Sequence, residues 1–493
     1  MVGNYSAVFL CWFAVLPVAL LAVLTSMAYR HGYGLHVMVL GLSLFHEVIL
    51  VGFPNFYDLA THFSLENEMA VDVALPLLAK VMLGESVYLL AFSVPIFWSI
   101  RKRRIPARLA PSAVRANHTF MIMLMVLGLV LYGVQFLTTP VVDYESYKHF
   151  AEAKVHENIG EMIYAWIKGA FAFPCLFAAG LIVSDKRSDG IFRWASFGII
   201  ALLLMYGLAT GYRGRITWVA SLLLVGALIN RNRMVLLYGV VLLAVTGAFA
   251  QFMGGEWRSI SINDLAGQSQ WSAMNRALQE AKSGNALQGE KPDFLRMVAK
   301  RAQGPRNSAV LYMLYEEGRG GGTGPILSSF ATVIPRVFWP DKGIGGSSDD
   351  TPYGAAIFLV RFVGYDAPLF NMGPVLASGH AYWEGGWIWV VAGGLCAGMF
   401  WALLLRFAYR LPVLLGRIIC LSYAASLLID GLFTIFNPIY TFVLATINVV
   451  SFVYLSYLCI QFFHRIRPAA IREPQTAEPG KTQRGLGWAS SKG

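Results

Sequence analysis

The residues in this chain best suited to chemistry are a set of arginines and one histidine–carboxylate pair, all in polar stretches between apolar runs. Arg213 and Arg215 flank a glycine in the turn Gly211-Tyr212-Arg213-Gly214-Arg215. Arg306 follows Gly304-Pro305, Arg319 opens the run Gly320-Gly321-Gly322-Thr323-Gly324, and Arg336 lies in Ile334-Pro335-Arg336-Val337-Phe338-Trp339-Pro340. Guanidinium forks match phosphate oxygens two at a time, so these residues suit a phosphate or pyrophosphate ligand. For Arg213 and Arg215 the alternative is snorkelling to lipid headgroups. His380 and Glu384 are spaced i, i+4 and share one face of a helix. Such a pair can act as a general base or as half of a metal site. The competing view makes them an interfacial residue and a helix-start acid. No HExxH or Asp-x-Asp motif accompanies them, so neither a metal site nor a cofactor is predicted.

These groups need a scaffold, and the composition says what kind. The chain has 493 residues, 56% hydrophobic and only 14% charged, well below the charge content of a soluble domain. Apolar runs long enough to cross a bilayer recur throughout, which predicts an all-α polytopic membrane protein. Eleven spans are expected: 8–28, 35–54, 74–98, 119–138, 162–183, 194–211, 216–230, 234–252, 381–405, 412–431 and 438–462. The net charge of +11 does not point to nucleic acid, because the basic residues sit in short clusters between spans and no basic patch carries interleaved stacking aromatics. Those clusters fall in alternate loops, at Arg30, Arg101–Arg104, Lys186-Arg187, Arg231/Arg233, Arg406/Arg410/Arg417 and after His464. The positive-inside rule makes those loops cytoplasmic and places the N-terminus outside and the C-terminus inside. The first apolar run reads as a retained span, since no basic n-region precedes it. All five cysteines lie in apolar runs, which supports neither a disulfide framework nor a cysteine metal site.

The expected division is spans one to eight in 1–252, a large extracytoplasmic segment in 253–373, spans nine to eleven in 374–463 and a disordered cytoplasmic tail in 464–493. The extracytoplasmic segment reads as helices joined by glycine-rich turns. One helix is expected over Ser308–Glu317, capped by Asn307 or Ser308 and closed by Gly318, with Arg306 beside its N–H groups as an anion site. The following glycine run reads as a flexible loop. Trp339 suits the membrane interface. Ionisable residues also fall inside spans: His46 and Glu47 in the second, Lys80 and Glu85 in the third. Each such charge costs about 2.5–3.5 kcal/mol to insert, which makes these residues functional candidates; mutual neutralisation of Glu47 and Lys80 is the structural reading set beside that one.

Thr210-Gly211-Tyr212-Arg213-Gly214-Arg215, Arg306, the run Ile334–Lys342 and Glu384 with Gly386-Trp387 together resemble the Wzy-type O-antigen and exopolysaccharide repeat-unit polymerases over about Thr210 to Ala402. The chain departs from the family pattern in having Gly343 rather than proline after Lys342, and Tyr382 before rather than after Glu384. The resemblance implies a metal-independent, inverting GT-C-type glycosyltransferase of the bacterial cytoplasmic membrane. Its substrates would be undecaprenyl-pyrophosphate-linked oligosaccharides, with a chain-length regulator as a further partner. It implies that Arg213, Arg215, Arg306 and Arg336 neutralise the leaving pyrophosphate and that Glu384 or His380 takes the acceptor proton. Arg319 and Trp339 join the substrate-binding set. An O-antigen ligase, a lipid-linked oligosaccharide flippase and a non-enzymatic assembly subunit are the alternatives.

Overall fold

In a computed structural model, the structure describes residues 2–31, 33–53, 75–101, 179–185, 190–209, 232–253, 304–322 and 375–410, with isolated positions at 56–57, 126, 130, 133, 223–224, 226–228 and 230. Among the described residues every regular element is helical. In chain order these are α1 (Val2–Arg30), α2 (Gly34–His46) running into a π-helical turn (Glu47–Gly52), α3 (Leu75–Arg101), α4 (Gly190–Ala209), α5 (Arg233–Met253), α6 (Gly304–Glu316) and α7 (Ala377–Arg410). Two helical stretches, Leu75–Arg101 and Ala377–Arg406, are long and apolar enough to cross a membrane. Six of the eleven predicted spans coincide with α1, α2 with its π turn, α3, α4, α5 and α7. The other five lie wholly or largely outside the described residues, as do most of 253–373 and all of 464–493.

The core is built around α3, which packs against α7, α1 and α6. Its meeting with α7 is close because of two glycines at i, i+4. A Cβ on Gly394 would lie 2.4 Å from the backbone oxygen of Tyr88, and one on Gly398 would lie 2.2 Å from that of Phe92. Gly394-Leu395-Cys396-Ala397-Gly398 is thus a small-xxx-small seam, of the kind that lets two membrane helices touch at their backbones. Hydroxyls inside these apolar helices are satisfied within the same helix: Ser43 donates to the Val39 carbonyl at 3.0 Å, Ser86 to Met82 at 2.8 Å and Ser93 to Leu89 at 2.6 Å. His36 Nε2 and Ser99 Oγ, 2.9 Å apart, tie α2 to α3.

A separate polar knot joins 179–185 to the start of α5. Asn230 Nδ2 donates to the Leu181 carbonyl at 3.0 Å and to Ser184 Oγ at 2.7 Å, and Asn232 Nδ2 donates to the Ser184 carbonyl at 3.0 Å. Arg193 on α4 donates to the Asp185 carbonyl at 2.6 Å. Elsewhere large apolar side chains face outward, among them Ile191, Trp194, Leu237, Tyr238 and Ile388. Water makes such a surface costly, whereas hydrocarbon does not.

Candidate functional site at a broken helix

Helix α7 is not continuous. At Gly385 and Gly386 the backbone leaves helical geometry, with φ/ψ of −167°/28° and 68°/−153°. The second of these lies where only glycine sits without strain. Side chains fill the space on both sides: a Cβ on Gly385 would meet the Trp389 indole, and one on Gly386 the Tyr315 ring. The break divides α7 into a half-helix of about two turns, 377–384, and the long apolar helix that follows.

The half-helix is clamped at both ends by the segment 304–322. At its start, the Leu376 N–H donates to Ser308 Oγ on α6 at 2.9 Å. Gly379 has no side chain where one would fall 2.4 Å from that same hydroxyl. At its end, the Trp383 carbonyl, which the break removes from the helical ladder, accepts the Gly321 N–H at 3.0 Å. The Trp383 indole N–H donates to the Arg319 carbonyl at 3.0 Å. A third hold comes from α3. The Glu85 carboxylate accepts both the N–H and the hydroxyl of Ser378, through Oε2 at 3.3 and 2.5 Å.

His380 and Glu384 ride on this clamped piece. Both are buried, at 0% and 3% exposure. Neither ring nitrogen of His380 has a hydrogen-bond partner among the described residues. Leaving a buried imidazole unsatisfied costs free energy, so its retention calls for a reason. A buried His and Glu one turn apart can pass or hold a proton. Among the described residues no three of His, Cys, Asp and Glu come together in a way that could hold a metal ion.

An aromatic cluster walls this region. Tyr312 of α6 stacks on Tyr382 with ring centroids 3.7 Å apart and planes 4° from parallel. Tyr315 and Trp387 meet Tyr382 edge-on, at 5.1 and 5.5 Å. Lys80 Nζ stands 5.4 Å from the Tyr382 ring centroid and forms an ion pair with Glu316. The Tyr382 hydroxyl donates to the same carboxylate at 3.1 Å. The hydrogen bond from Lys80 holds the Glu316 carboxyl below its ordinary value, while burial pushes the Tyr312 phenol above its own.

No family model, curated protein or solved structure matches this chain.

Of the residues singled out in the sequence, Arg306, Arg319, His380 and Glu384 are described, and they fall on the two segments that clamp each other. Arg306 is buried at 7% exposure on α6, two residues before Ser308. Arg319 lies in the exposed turn after α6, where its carbonyl holds Trp383. Arg213, Arg215, Arg336 and Trp339 lie outside the described residues.

Three local expectations are corrected and one holds. Lys80 pairs with Glu316, not with Glu47. Helix α6 already includes Gly304, so Asn307 and Ser308 lie within it, and the Ser308 hydroxyl serves α7 rather than capping its own helix. Closure at Gly318 is as expected. Its φ is 78°, its N–H bonds the Tyr315 carbonyl and the Arg319 N–H bonds that of Leu314, a Schellman end. The beginning of the glycine run is not a free loop, because a Cβ on Gly321 would fall 2.3 Å from the Trp383 ring. Sequence reasoning gave no role to Ser378 or to the glycine pair at 385–386. The Gly-Gly directly after Glu384 was the available signal for a break.

Proposed function

We propose that this chain is a membrane glycosyltransferase of the Wzy type, joining undecaprenyl-pyrophosphate-linked oligosaccharide repeat units at the outer face of a bacterial cytoplasmic membrane. In this reading eleven spans carry the chain, the segment 253–373 lies outside, and the tail is cytoplasmic. A hydroxyl of one repeat unit attacks the anomeric carbon at the reducing end of the other chain. The C–O bond to the carrier breaks with inversion, and undecaprenyl pyrophosphate leaves with the bonding electron pair. Glu384 or His380 takes the hydroxyl proton. Arg213, Arg215, Arg306 and Arg336 offset the charge that builds on the departing pyrophosphate, with Arg319 and Trp339 at the substrate's edge.

The observation that carries the reading is the broken α7. An apolar helix is interrupted where it buries a histidine and a carboxylate, and the polar segment bearing Arg306 is bound across the interruption. Non-helical backbone at membrane depth is tolerated where protein or a water-filled cavity surrounds it, and such breaks recur where membrane proteins bind charged substrates. The test is deletion and complementation. Loss of the gene should leave single repeat units on the carrier. Unattached full-length polymer would instead identify a ligase, and an undiminished, attached polymer would sink both. Arg213→Ala, Arg215→Ala, Arg306→Ala, Arg336→Ala and Glu384→Gln, each at normal abundance, should shorten or abolish the polymer. Wild-type polymer from all five would overturn the site assignment.

A further inference from the structure

The aromatic wall beside the broken helix carries a polar group that the proposed reaction does not use. The Glu316 carboxylate of α6 is held from two other helices, and both contacts fall on one oxygen. Lys80 Nζ of α3 and the Tyr382 hydroxyl of α7 donate to Oε1. Among the described residues Oε2 receives no hydrogen bond, and the side chain is 47% exposed. A carboxylate has room for about four hydrogen bonds, so Oε2 is a positioned acceptor on an exposed side chain. The bond from Lys80 keeps it ionised.

Apolar ring surface adjoins this oxygen. Tyr382 links the two, because its hydroxyl holds Glu316 while its ring meets Tyr315 at 5.1 Å and Trp387 at 5.5 Å. Tyr315 and Trp387 are themselves half-buried. Lys80 offsets the charge of Glu316, so the place does not select a phosphate or a metal ion. It suits a neutral ligand with an apolar face and a hydroxyl rim. A pyranose ring has that form, with C–H bonds on its faces and hydroxyls around its edge. Small-molecule sites commonly set a few fixed polar groups against aromatic side chains in this way, and a hydroxyl donating to a carboxylate makes one of the stronger hydrogen bonds.

We propose that Glu316, Tyr315 and Trp387 form a subsite for one uncharged pyranose ring of an oligosaccharide, with a ring hydroxyl donating to Glu316 Oε2. Tyr382 stands about half a turn around the half-helix from both His380 and Glu384. The ring held here is therefore a neighbour of the reacting ring and not the reacting ring itself. It contributes to the binding and choice of substrate, not to the proton transfer. The role in choosing a substrate rests on the polymerase reading; the binding of a sugar does not.

The test is isothermal titration calorimetry on the full-length chain in lipid nanodiscs. The probe is the repeat-unit oligosaccharide cut from the host strain's own surface polysaccharide. Wild type should bind it saturably. Glu316→Gln keeps the shape but loses the charge, and should raise Kd about tenfold or more, the size of one lost charge-assisted hydrogen bond. Trp387→Leu, which removes ring surface, should also raise Kd. Glu317→Gln makes the same charge change at the next, exposed position and should leave Kd unchanged. Thermal unfolding separates recognition from structure. An ion pair between exposed partners is weak, so Glu316→Gln should melt close to wild type. A melting temperature that falls in step with affinity would give Glu316 a structural role and overturn the proposal. Equal affinity in Glu316→Gln and Glu317→Gln, or no saturable binding by wild type, would overturn it too. If Trp387→Leu fails to accumulate, Glu316→Gln against Glu317→Gln still decides. Glu316-dependent binding by a chain whose deletion leaves the polymer attached and full-length would sink the polymerase reading and leave the sugar subsite standing.

Discussion

Replacing Gly386 with alanine tests whether the break in α7 is held by the backbone itself. At φ 68° and ψ −153° the residue occupies a region that is essentially closed to residues with a Cβ, and entry costs them about 1–3 kcal/mol. The new methyl would also stand 2.9 Å from the Tyr315 hydroxyl and 3.1 Å from its ring. Tyr315 packs edge-on against Tyr382 at 5.1 Å, so moving it disturbs the aromatic wall. The backbone term alone corresponds to roughly a 5- to 150-fold loss of the broken conformation. Gly322→Ala is the control. Its φ is also positive, at 58°, yet nothing lies within 4 Å of the added methyl, so it carries conformational strain of about 1 kcal/mol without a clash. Unfolding of the purified protein in detergent, read alongside the polymer ladder in complemented cells, should rank Gly386→Ala well below Gly322→Ala in both. Equal behaviour of the two variants, or a wild-type ladder from Gly386→Ala, would refute the view that the break is fixed and required.

Four further substitutions probe helix packing and the clamp. Gly398→Ala forces a methyl into the Phe92 carbonyl and should destabilise by about 1–3 kcal/mol. Gly41→Ala, in a helix with open space around it, should stabilise by up to about 1 kcal/mol; thermal unfolding in detergent reads both. Trp383→Phe keeps an aromatic ring but removes the indole donor to Arg319, at a cost of about 1 kcal/mol, and should speed limited proteolysis at 318–322. Glu316 titrates below its ordinary value of 4.5, so its pairing stabilises above the ordinary carboxylate range and is lost as pH falls through the lowered folded value. With both partners partly exposed, at 34% and 47%, the pair is worth at most about 1 kcal/mol. Glu316→Gln should flatten the acid limb of a melting-temperature profile by no more than that.

What the sequence revealed and what it hid divide along a physical line. Apolar runs disclose helices because each is a local property, and Gly318 discloses the end of α6 because a left-handed closure needs a residue without a Cβ. Partners across the fold are not local. Lys80 and Glu316 are 236 positions apart, and Glu85 and Ser378 are 293 apart. With only charge and proximity along the chain to go on, Glu47 and Lys80 in consecutive spans looked complementary. Which helix faces meet was decided by features carrying no charge, namely the Gly394/Gly398 seam and the notch at Gly379. His380 and Glu384 were legible as a pair from their spacing, but their burial was not, because it depends on α6 and α3 closing over them.

The glycine run after Arg319 shows why the same residues can look like a loop in one dimension and like a cap in three. Breaking a helix strands carbonyls at the end of its first half, and apolar surroundings offer them no water. The Trp383 carbonyl is one of these, and the Gly321 N–H satisfies it at 3.0 Å. That approach is possible only without side chains: a Cβ on Gly320 would fall 2.9 Å from the Trp383 oxygen, and one on Gly321 would enter the indole. The segment 304–322 therefore closes both ends of the half-helix, through Ser308 at its start and Gly321 at its end. Movement of that segment would release the Leu376 N–H and the Trp383 carbonyl together, leaving the turn bearing His380 and Glu384 with the hold of Glu85 on Ser378. Substrate contacts made by Arg306 or Arg319 would act on that docking directly, because both residues belong to the clamp.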